Sequence, residues 1–445
     1  MSVADNGQRR LVDAELDPLA GRLAREVAEE LAAADGDVPS ASSDPARQAL
    51  AHKLIVGRID RLSREFISQG RDLSEGDEEE LTVRIRSHLF GQGELDRLVL
   101  DDSIENVFGN AWDDVWVRRA DGSNEQIPPF VPNEEALNDL IRHTAARGER
   151  SERRFDRAQP SVSFPLADGS RFTAVRDLSG HTAFALRRHR HTDVDLDQLY
   201  RLGSIGRCLV ALLAAAVHAR FNLLIVGGTD AGKTTLLRAL INAIDPDERL
   251  ITVEDTLELQ LSRHRDRHRN LLELECREQN IEGYGEVTMR YLTRLALRLS
   301  PDRLIVGESR GPEILDMFQA MSQGNDGSMG TLHARSSADA FVQITRYALK
   351  APEHLTPEAV AVDIAASLDW VLHIHKLSSG RRVVSSLREI TGHDGTQVLS
   401  NEVFAPDEHR RAVFRTPLQD RSLDRLVDAG FDAALLELPG GGWTW

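Results

Sequence analysis

The sequence has few cysteines and no long apolar run. Only Cys208 and Cys276 occur in 445 residues. They lack metal-binding spacing, which argues against a disulfide or zinc framework and suits a reducing compartment. No segment approaches the roughly eighteen apolar residues that cross a bilayer. Because the first residues, MSVADNGQRRLVDAELDPLAG, also lack the apolar core of a signal peptide, we expect a cytoplasmic protein.

Positive charge is scarce as well. The chain has 54 lysines and arginines against 71 aspartates and glutamates, a formal net charge of −17. This excess opposes nonspecific attraction to nucleic acid or anionic lipid, so protein partners are the better expectation. The one basic stretch, Arg263–Arg269, has no interleaved aromatic residues on which bases could stack, and we interpret it as a solvated loop. We therefore expect no direct nucleic-acid binding.

The length and the changes of pattern along the chain predict several domains. Helical periodicity over residues 8–33 is followed by a small, polar linker, and the final LPGGGWTW is typical of a poorly ordered tail. The predicted divisions are a mobile segment at 1–45, a helical region at 46–100, an α+β domain at 101–190, a linker at 191–206, an α/β domain at 207–400 and a C-terminal extension at 401–445.

Three aliphatic runs mark the core of the α/β domain. NLLIVG, RLITVE and DRLIVGE are almost continuously apolar and alternate with helical stretches. Strands of this kind are buried on both faces, as in a parallel sheet covered by helices. The sequence therefore predicts an α/β fold here, preceded by the smaller α+β domain.

A phosphate-binding loop follows the first of these strands. The motif GxxxxGK[ST] lies between NLLIV and the helix-like TLLRALINAI, the context that this motif requires. Its amides and helix start favour phosphate, Lys233 would neutralise the β- and γ-phosphates, and the Thr234 hydroxyl suits Mg²⁺. We thus predict binding of ATP and Mg²⁺. The predicted contact residues are Gly227, Gly228, Thr229, Asp230, Ala231, Gly232, Lys233, Thr234 and Thr235.

Acidic residues end the two later strands. Glu308 follows LIVG and could polarise the attacking water, whereas Glu254 and Asp255 follow LITV and could hold Mg²⁺ together with Thr234. His333 ends another short strand-like run, where a neutral imidazole could sense the γ-phosphate, although a lone histidine is more often structural. The residues alone leave both interpretations of His333 open.

Taken together, these segments resemble the secretion ATPase superfamily of type II and type IV secretion and type IV pili. ITVEDTLELQL resembles its Asp box, LRLSPDRLIVGESRGPE its atypical Walker B region, and GSMGTLHARS its His box. ELECREQNIEGYGEVTMRYLTRLAL is similar to the branch that assembles tight-adherence (Flp) pili, as are LDDSIENVFGNAWDDVWVRR and DGSRFTAV. The resemblance runs from about residue 50 to 390.

The resemblance implies a homo-hexameric ring with a RecA-like core, in which nucleotide lies between the core and the preceding domain. It implies arginines near the phosphates: Arg171, Arg187, Arg277 and Arg310. It also implies catalytic roles for Glu254, Glu308, His333 and Arg310. The expected partner is an inner-membrane platform protein, which would place the ATPase peripherally at the inner face of the membrane.

The chain departs from the family pattern at three places. Asp230-Ala231 replaces Gly-Ser in the phosphate loop, Gln323-Gly324-Asn325 replaces Thr-Gly-His, and Ser163-Phe164-Pro165 replaces Asp-Ala-Arg. Asp230 brings a carboxylate near the phosphates and lacks the conformational freedom of glycine, so we predict that it weakens ATP binding. Alternatively, Asp230 meets an arginine such as Arg187 or Arg310 and forms a gate.

The leading hypothesis is an ATP-hydrolysing motor that powers pilus assembly or protein secretion. One alternative is a nucleotide-binding assembly scaffold in which Asp230 suppresses hydrolysis. Another is a DNA-translocating RecA-like motor, which the acidic composition disfavours.

Overall fold

A computed structural model of the chain describes residues 13–35, 45–69, 71–90, 98–99, 101, 103–146, 154–166, 168–188, 193–277, 279 and 284–443. The chain divides into an N-terminal unit, residues 1–188, and a C-terminal unit, residues 189–445. None of the helices in the described ranges is both long and apolar enough to cross a membrane.

The N-terminal unit begins with three helices, α1 (Asp13–Asp35), α2 (Pro45–Ser68) and α3 (Glu75–Phe90). The helix predicted over 8–33 is present from Asp13, but it is not a free-standing mobile segment. Leu23 and Val27 are buried in an apolar cluster that also contains Ile55 of α2 and Leu81 of α3, because the apolar stripe of an amphipathic helix requires a partner. The polar linker predicted after α1 lies largely outside the described residues.

The same unit also contains an antiparallel sheet, in the order β3-β2-β1-β6-β5-β4. One helix, α4, contributes Leu137 and Ile141 to the apolar cluster of this sheet, as expected for a small α+β domain. The elements are β1 (Ile104–Ala111), β2 (Asp114–Arg119), β3 (Asn124–Ile127), α4 (Glu134–Ala146), β4 (Ser161–Pro165), β5 (Arg171–Val175) and β6 (Ala183–Arg187).

The C-terminal unit is built on one nine-stranded sheet in the order β15-β14-β13-β12-β7-β11-β10-β8-β9. Strands from β12 to β9 are parallel, and β13, β14 and β15 extend the sheet in antiparallel fashion. The strands are β7 (Leu223–Gly227), β8 (Leu250–Glu254), β9 (Leu271–Glu275), β10 (Arg303–Ser309), β11 (Met329–His333), β12 (Trp370–Lys376), β13 (Arg382–His393), β14 (Val398–Pro406) and β15 (Ala412–Phe414).

Helices cover both faces of this sheet, so the strands β7, β8 and β10, predicted as buried and parallel, are confirmed as such. The α/β fold class is likewise confirmed, with its preceding α+β domain and helical region. The helices are α5 (Leu196–Arg201), α6 (Arg207–His218), α7 (Lys233–Ile241), α8 (Met289–Leu297), α9 (Glu313–Ser322), α10 (Asp339–Ala348), α11 (Pro357–Ser367) and α12 (Asp420–Asp428).

Two segments differ from their predicted character. The stretch predicted as a linker contains α5, whose Leu196 and Leu199 are buried in the core of the C-terminal unit. The prediction of a poorly ordered tail is wrong as far as Trp443. Its indole Nε1 donates to the carbonyl oxygen of Ala412 at 3.1 Å, and its ring packs against the same core. Both errors arise because a few apolar side chains within polar sequence find burial only in the folded chain.

Candidate functional site

The phosphate loop joins the buried strand β7 to α7. A Cβ at Gly227 would lie only 2.5 Å from the carbonyl oxygen of Ile374, so the close approach of these two segments requires glycine. Gly232 has φ of 97°, in the left-handed region, and no side chain caps the N-terminus of α7 that follows it. This leaves the first amides of the helix for an anion.

Lys233 lies at the centre of the site and is 7% exposed. Its Nζ donates to the carbonyl oxygen of Gly228 at 3.1 Å and lies 3.2 Å from Nδ1 of His333. Oε1 of Glu308 is 3.7 Å from the same nitrogen. The fold therefore brings together three residues that sequence reasoning proposed from separate segments.

Glu308 connects the other charged groups of the site. His333 Nε2 lies 2.6 Å from Oε1, and Arg310 Nη2 donates to Oε2 at 2.5 Å. Burial opposes ionisation of Glu308, but the hydrogen bond from His333 and the charges of Arg310 and Lys233 outweigh it and lower its pKa to about 2. Glu308 is therefore a carboxylate at physiological pH.

Glu254, at the end of β8, is in a different environment and is 2% exposed. Its Oε2 accepts the backbone N–H groups of Glu258 and Leu259, both at 2.9 Å. Burial nevertheless raises its pKa to about 8, the opposite direction from Glu308. Its Oε1 is buried without a hydrogen-bond partner in the described part of the chain, which leaves one oxygen for a ligand.

The predicted Mg²⁺ ligands lie at the start of α7 and at the end of β8. Asp255 follows Glu254 directly, has a side chain that is 53% exposed, and lies 3.5 Å from Nη1 of Arg310. Thr234 is the second residue of α7. Among the described residues, no group of three or more histidine, cysteine, aspartate or glutamate side chains could hold a metal. Hydroxyl and carboxylate oxygens are the donor type that a hard cation such as Mg²⁺ prefers.

Of the three remaining predicted arginines, one lies in a β-bridge and two lie in strands. Arg277 pairs with Val287 through a β-bridge, and its Nε donates to the carbonyl oxygen of Gly285 at 2.7 Å. In the N-terminal unit, Arg171 of β5 lies directly opposite Arg187 of β6, so both point to the same face of that sheet. Their approach to a nucleotide stays a prediction.

Sequence reasoning missed Arg238, a buried arginine of α7. Its Nε donates to the carbonyl oxygen of Leu259 at 3.0 Å and its Nη2 to that of Glu258 at 2.6 Å. The amides of these same two residues bind Glu254, so Arg238 couples the helix of the phosphate loop to the Glu254 segment. Burial lowers the pKa of Arg238 to about 10, which leaves it charged. The only signal in the sequence is one arginine inside the apolar run TLLRALINAI.

Replacing Arg238 with leucine is expected to lower the free energy of unfolding by on the order of 3 kcal/mol, because buried carbonyl groups lose charged donors. Arg269→Leu is the control, since its ion pair with Asp247 is largely exposed and such pairs contribute little. Urea unfolding of the nucleotide-free proteins measures both changes. Equal values for the two variants would contradict the structural role of Arg238.

Asp230 has φ of 59°, a conformation uncommon for residues other than glycine. Its carboxylate lies 2.5 Å from Nζ of Lys376 and 3.2 Å from Nη2 of Arg382. Arg310, proposed above as a partner, is instead bound to Glu308. The predicted repulsion between Asp230 and phosphate requires an unpaired carboxylate, whereas the structure pairs Asp230 with two cations.

Comparison with known proteins gives matches over most of the chain. The model of a family described as "Type II/IV secretion system protein" matches residues 90–384. A Mycobacterium tuberculosis protein, Rv3659c, whose name refers to conjugal transfer, is 37% identical over 319 residues, which are 70% of this chain and 88% of that protein. Protein VirB11 of Agrobacterium fabrum is 39% identical over 136 residues, 31% of this chain and 38% of its own.

Solved structures with similarity include the VirB11 ATPase of the Brucella suis type IV secretion system, determined with sulphate. It is 26% identical with a TM-score of 0.36, covering 66% of this chain and 91% of its own. The Legionella pneumophila ATPase DotB is 17% identical with a TM-score of 0.48, and the match covers 68% of this chain and 80% of that protein.

Proposed function

Since the chain belongs to the type II/IV secretion system protein family, we propose that it hydrolyses ATP to drive a secretion or pilus-assembly machine. The observation that carries this proposal is the convergence of Lys233, Glu308 and His333 beside the phosphate loop. These residues come from α7, β10 and β11, and all lie where parallel strands end, the edge at which such sheets bind ligands.

We infer a role for each side chain from its charge. Lys233 binds the β- and γ-phosphates, and ATP then takes the place of its present acceptors. Glu308 is ionised and orients the attacking water, while the hydrogen bond from His333 and the pair with Arg310 fix its carboxylate. Mg²⁺, when bound, neutralises phosphate charge, and Thr234, Glu254 and Asp255 are the residues that would hold it.

The resemblance to the tight-adherence branch supports a more specific proposal. The motor acts on pilin-like subunits, or on secreted proteins, through an inner-membrane platform protein to which it binds from the cytoplasm. The Mycobacterium tuberculosis relative has a name that refers to conjugal transfer, and VirB11 is the name of another relative. The conjugal-transfer name supports a role in the transfer of macromolecules, which is the general class of this proposal. Binding and release of the nucleotide would convert phosphate contacts into motion.

Steady-state ATP hydrolysis by the purified full-length protein tests the function, with and without its platform protein. We expect hydrolysis that requires Mg²⁺ and increases with the platform protein. Binding without turnover in either condition would favour the assembly scaffold, the second candidate. Stimulation by DNA instead of the platform protein would favour a DNA-translocating motor, against the acidic composition.

We further propose a homo-hexamer in which Arg171 and Arg187 act on nucleotide. The two guanidinium groups share a face of the N-terminal sheet, and such a concentration of like charge is stabilised by an anion. Sedimentation velocity at micromolar concentration should show a six-membered species promoted by ATP and Mg²⁺. The Arg171→Ala/Arg187→Ala double variant should lose this promotion, and Arg118→Ala of β2 should retain it. A wild-type protein that stays monomeric with platform protein present contradicts the ring.

A further inference from the structure

The phosphate loop is contacted by the hairpin of β12 and β13. Ile374 of β12 packs against Gly227 at the start of the loop. At the other end, a Cβ on Gly232 would lie 3.2 Å from Cδ of Arg382, so the stem of this arginine lies on the loop backbone. The hairpin therefore contacts the loop on both sides of Asp230.

Lys376 and Arg382 form a pair of like charges that an anion between them would stabilise. They are directly opposite each other in the register of β12 and β13, where like charges repel. Asp230 supplies the anion, with Oδ2 at 2.5 Å from Lys376 Nζ and Oδ1 at 3.2 Å from Arg382 Nη2. Arg382 Nε also donates to the main-chain carbonyl of Asp230 at 3.2 Å, so it binds both the side chain and the backbone.

These contacts are partly shielded from solvent. The side chains of Asp230, Lys376 and Arg382 are 31%, 28% and 25% exposed. A hydrogen-bonded network of this kind is stronger than an isolated surface ion pair, because the charges are less screened and share a fixed geometry. It also stabilises the left-handed backbone of Asp230, which aspartate tolerates better than most residues.

We propose that Asp230, Lys376 and Arg382 form a phosphate-loop clamp that holds the loop in its ATP-binding conformation. Asp230 is then a positioning residue that strengthens ATP binding, and its negative charge is more than offset by the two cations beside it. Fixing a loop before the ligand arrives lowers the cost of ordering it on binding. This inference rests on the proposed function, since it assumes that the loop binds ATP.

The first experiment measures binding of a fluorescent ATP analogue with Mg²⁺ to the full chain at two salt concentrations. Asp230→Asn keeps the shape and the tolerance of positive φ but removes the charge, and should raise Kd about tenfold. In the Lys376→Gln/Arg382→Gln background, Asp230→Asn should change Kd little further, because the clamp is already lost. Asp407→Asn is the matched control. Asp407 also forms an ion pair with an arginine in a hairpin, since it binds Arg411 in the turn between β14 and β15.

Equal or tighter binding by Asp230→Asn at low salt would overturn the clamp and restore the repulsion argument. Additive effects in the double background would also overturn it. Asp407→Asn should bind ATP as wild type does, and an equal loss of affinity in this control would also overturn the clamp.

A second measurement separates the clamp from the proposed function. Amide hydrogen exchange of residues 228–232 in the nucleotide-free protein should be faster in Asp230→Asn than in wild type. This expectation does not depend on whether the protein can bind ATP. Unchanged exchange would overturn the clamp. Failure of the wild type to bind the ATP analogue would instead overturn the proposed function.

Discussion

Replacing Lys233 with alanine is expected to abolish ATP binding at micromolar concentrations and to lower hydrolysis by at least about a hundredfold. The lysine is buried, and its ammonium group donates to the Gly228 carbonyl, where the loop begins to turn. Lys233 is the only lysine in the loop sequence, residues 227–234. Lys376 also lies near the loop, but it belongs to β12 and contacts Asp230. Equilibrium binding and phosphate release measure the two effects.

Lys350→Ala is the matched control, because Lys350 follows α10 and contacts the ring of Tyr347 rather than the site. It should bind and hydrolyse ATP as wild type does. Circular dichroism checks that both variants are folded, which matters because Lys233 also contacts His333. A folded Lys233→Ala protein with near-normal turnover would place the nucleotide elsewhere and contradict the proposed site.

Replacing Glu308 with glutamine should separate binding from chemistry. The amide keeps the size of the side chain but cannot attract a proton from water, so we expect ATP binding to persist while kcat falls by about 10²–10⁴. The low pKa of Glu308, about 2, means that wild type holds the charge throughout the neutral range. Single-turnover hydrolysis measured beside nucleotide binding distinguishes the two effects.

Glu353→Gln controls for the loss of a carboxylate that is paired with cations, since Glu353 accepts hydrogen bonds from Arg290 and Arg294. It should leave kcat unchanged. Near-normal turnover by Glu308→Gln would remove Glu308 from the catalytic residues. Glu254 would then become the leading candidate, because its pKa of about 8 suits proton transfer near neutral pH.

Much of the site could be predicted because its signals are local. The phosphate loop requires glycines, Lys233 and Thr234 at fixed spacing between a strand and a helix, and this spacing is visible in the chain. Continuous aliphatic runs identified β7, β8 and β10 as buried parallel strands. Since parallel strands end at one edge of a sheet, the carboxylates in the last residues of β8 and β10 had to lie near the loop.

The properties of these residues were less accessible. Glu254 and Glu308 each lie at the end of an aliphatic strand, and nothing in the sequence predicts different properties for them. Their pKa values shift in opposite directions, because one carboxyl is buried with a single oxygen satisfied and the other is surrounded by His333, Arg310 and Lys233. Such differences depend on desolvation and on the charges that tertiary contacts bring near.

The sequence by itself determined the nucleotide loop, the parallel core and the identity of the strand-end carboxylates, since each depends on neighbours within a few residues. Only the tertiary structure decided which groups meet. From the sequence alone, Asp230 is predicted to weaken ATP binding. In the structure it is paired with Lys376, which is 146 residues further along the chain. From the sequence alone, Trp443 belongs to a predicted tail, whereas in the structure its ring packs on the core. Interaction energies depend on distance and burial, and for residues far apart in the chain both are set by the folded packing.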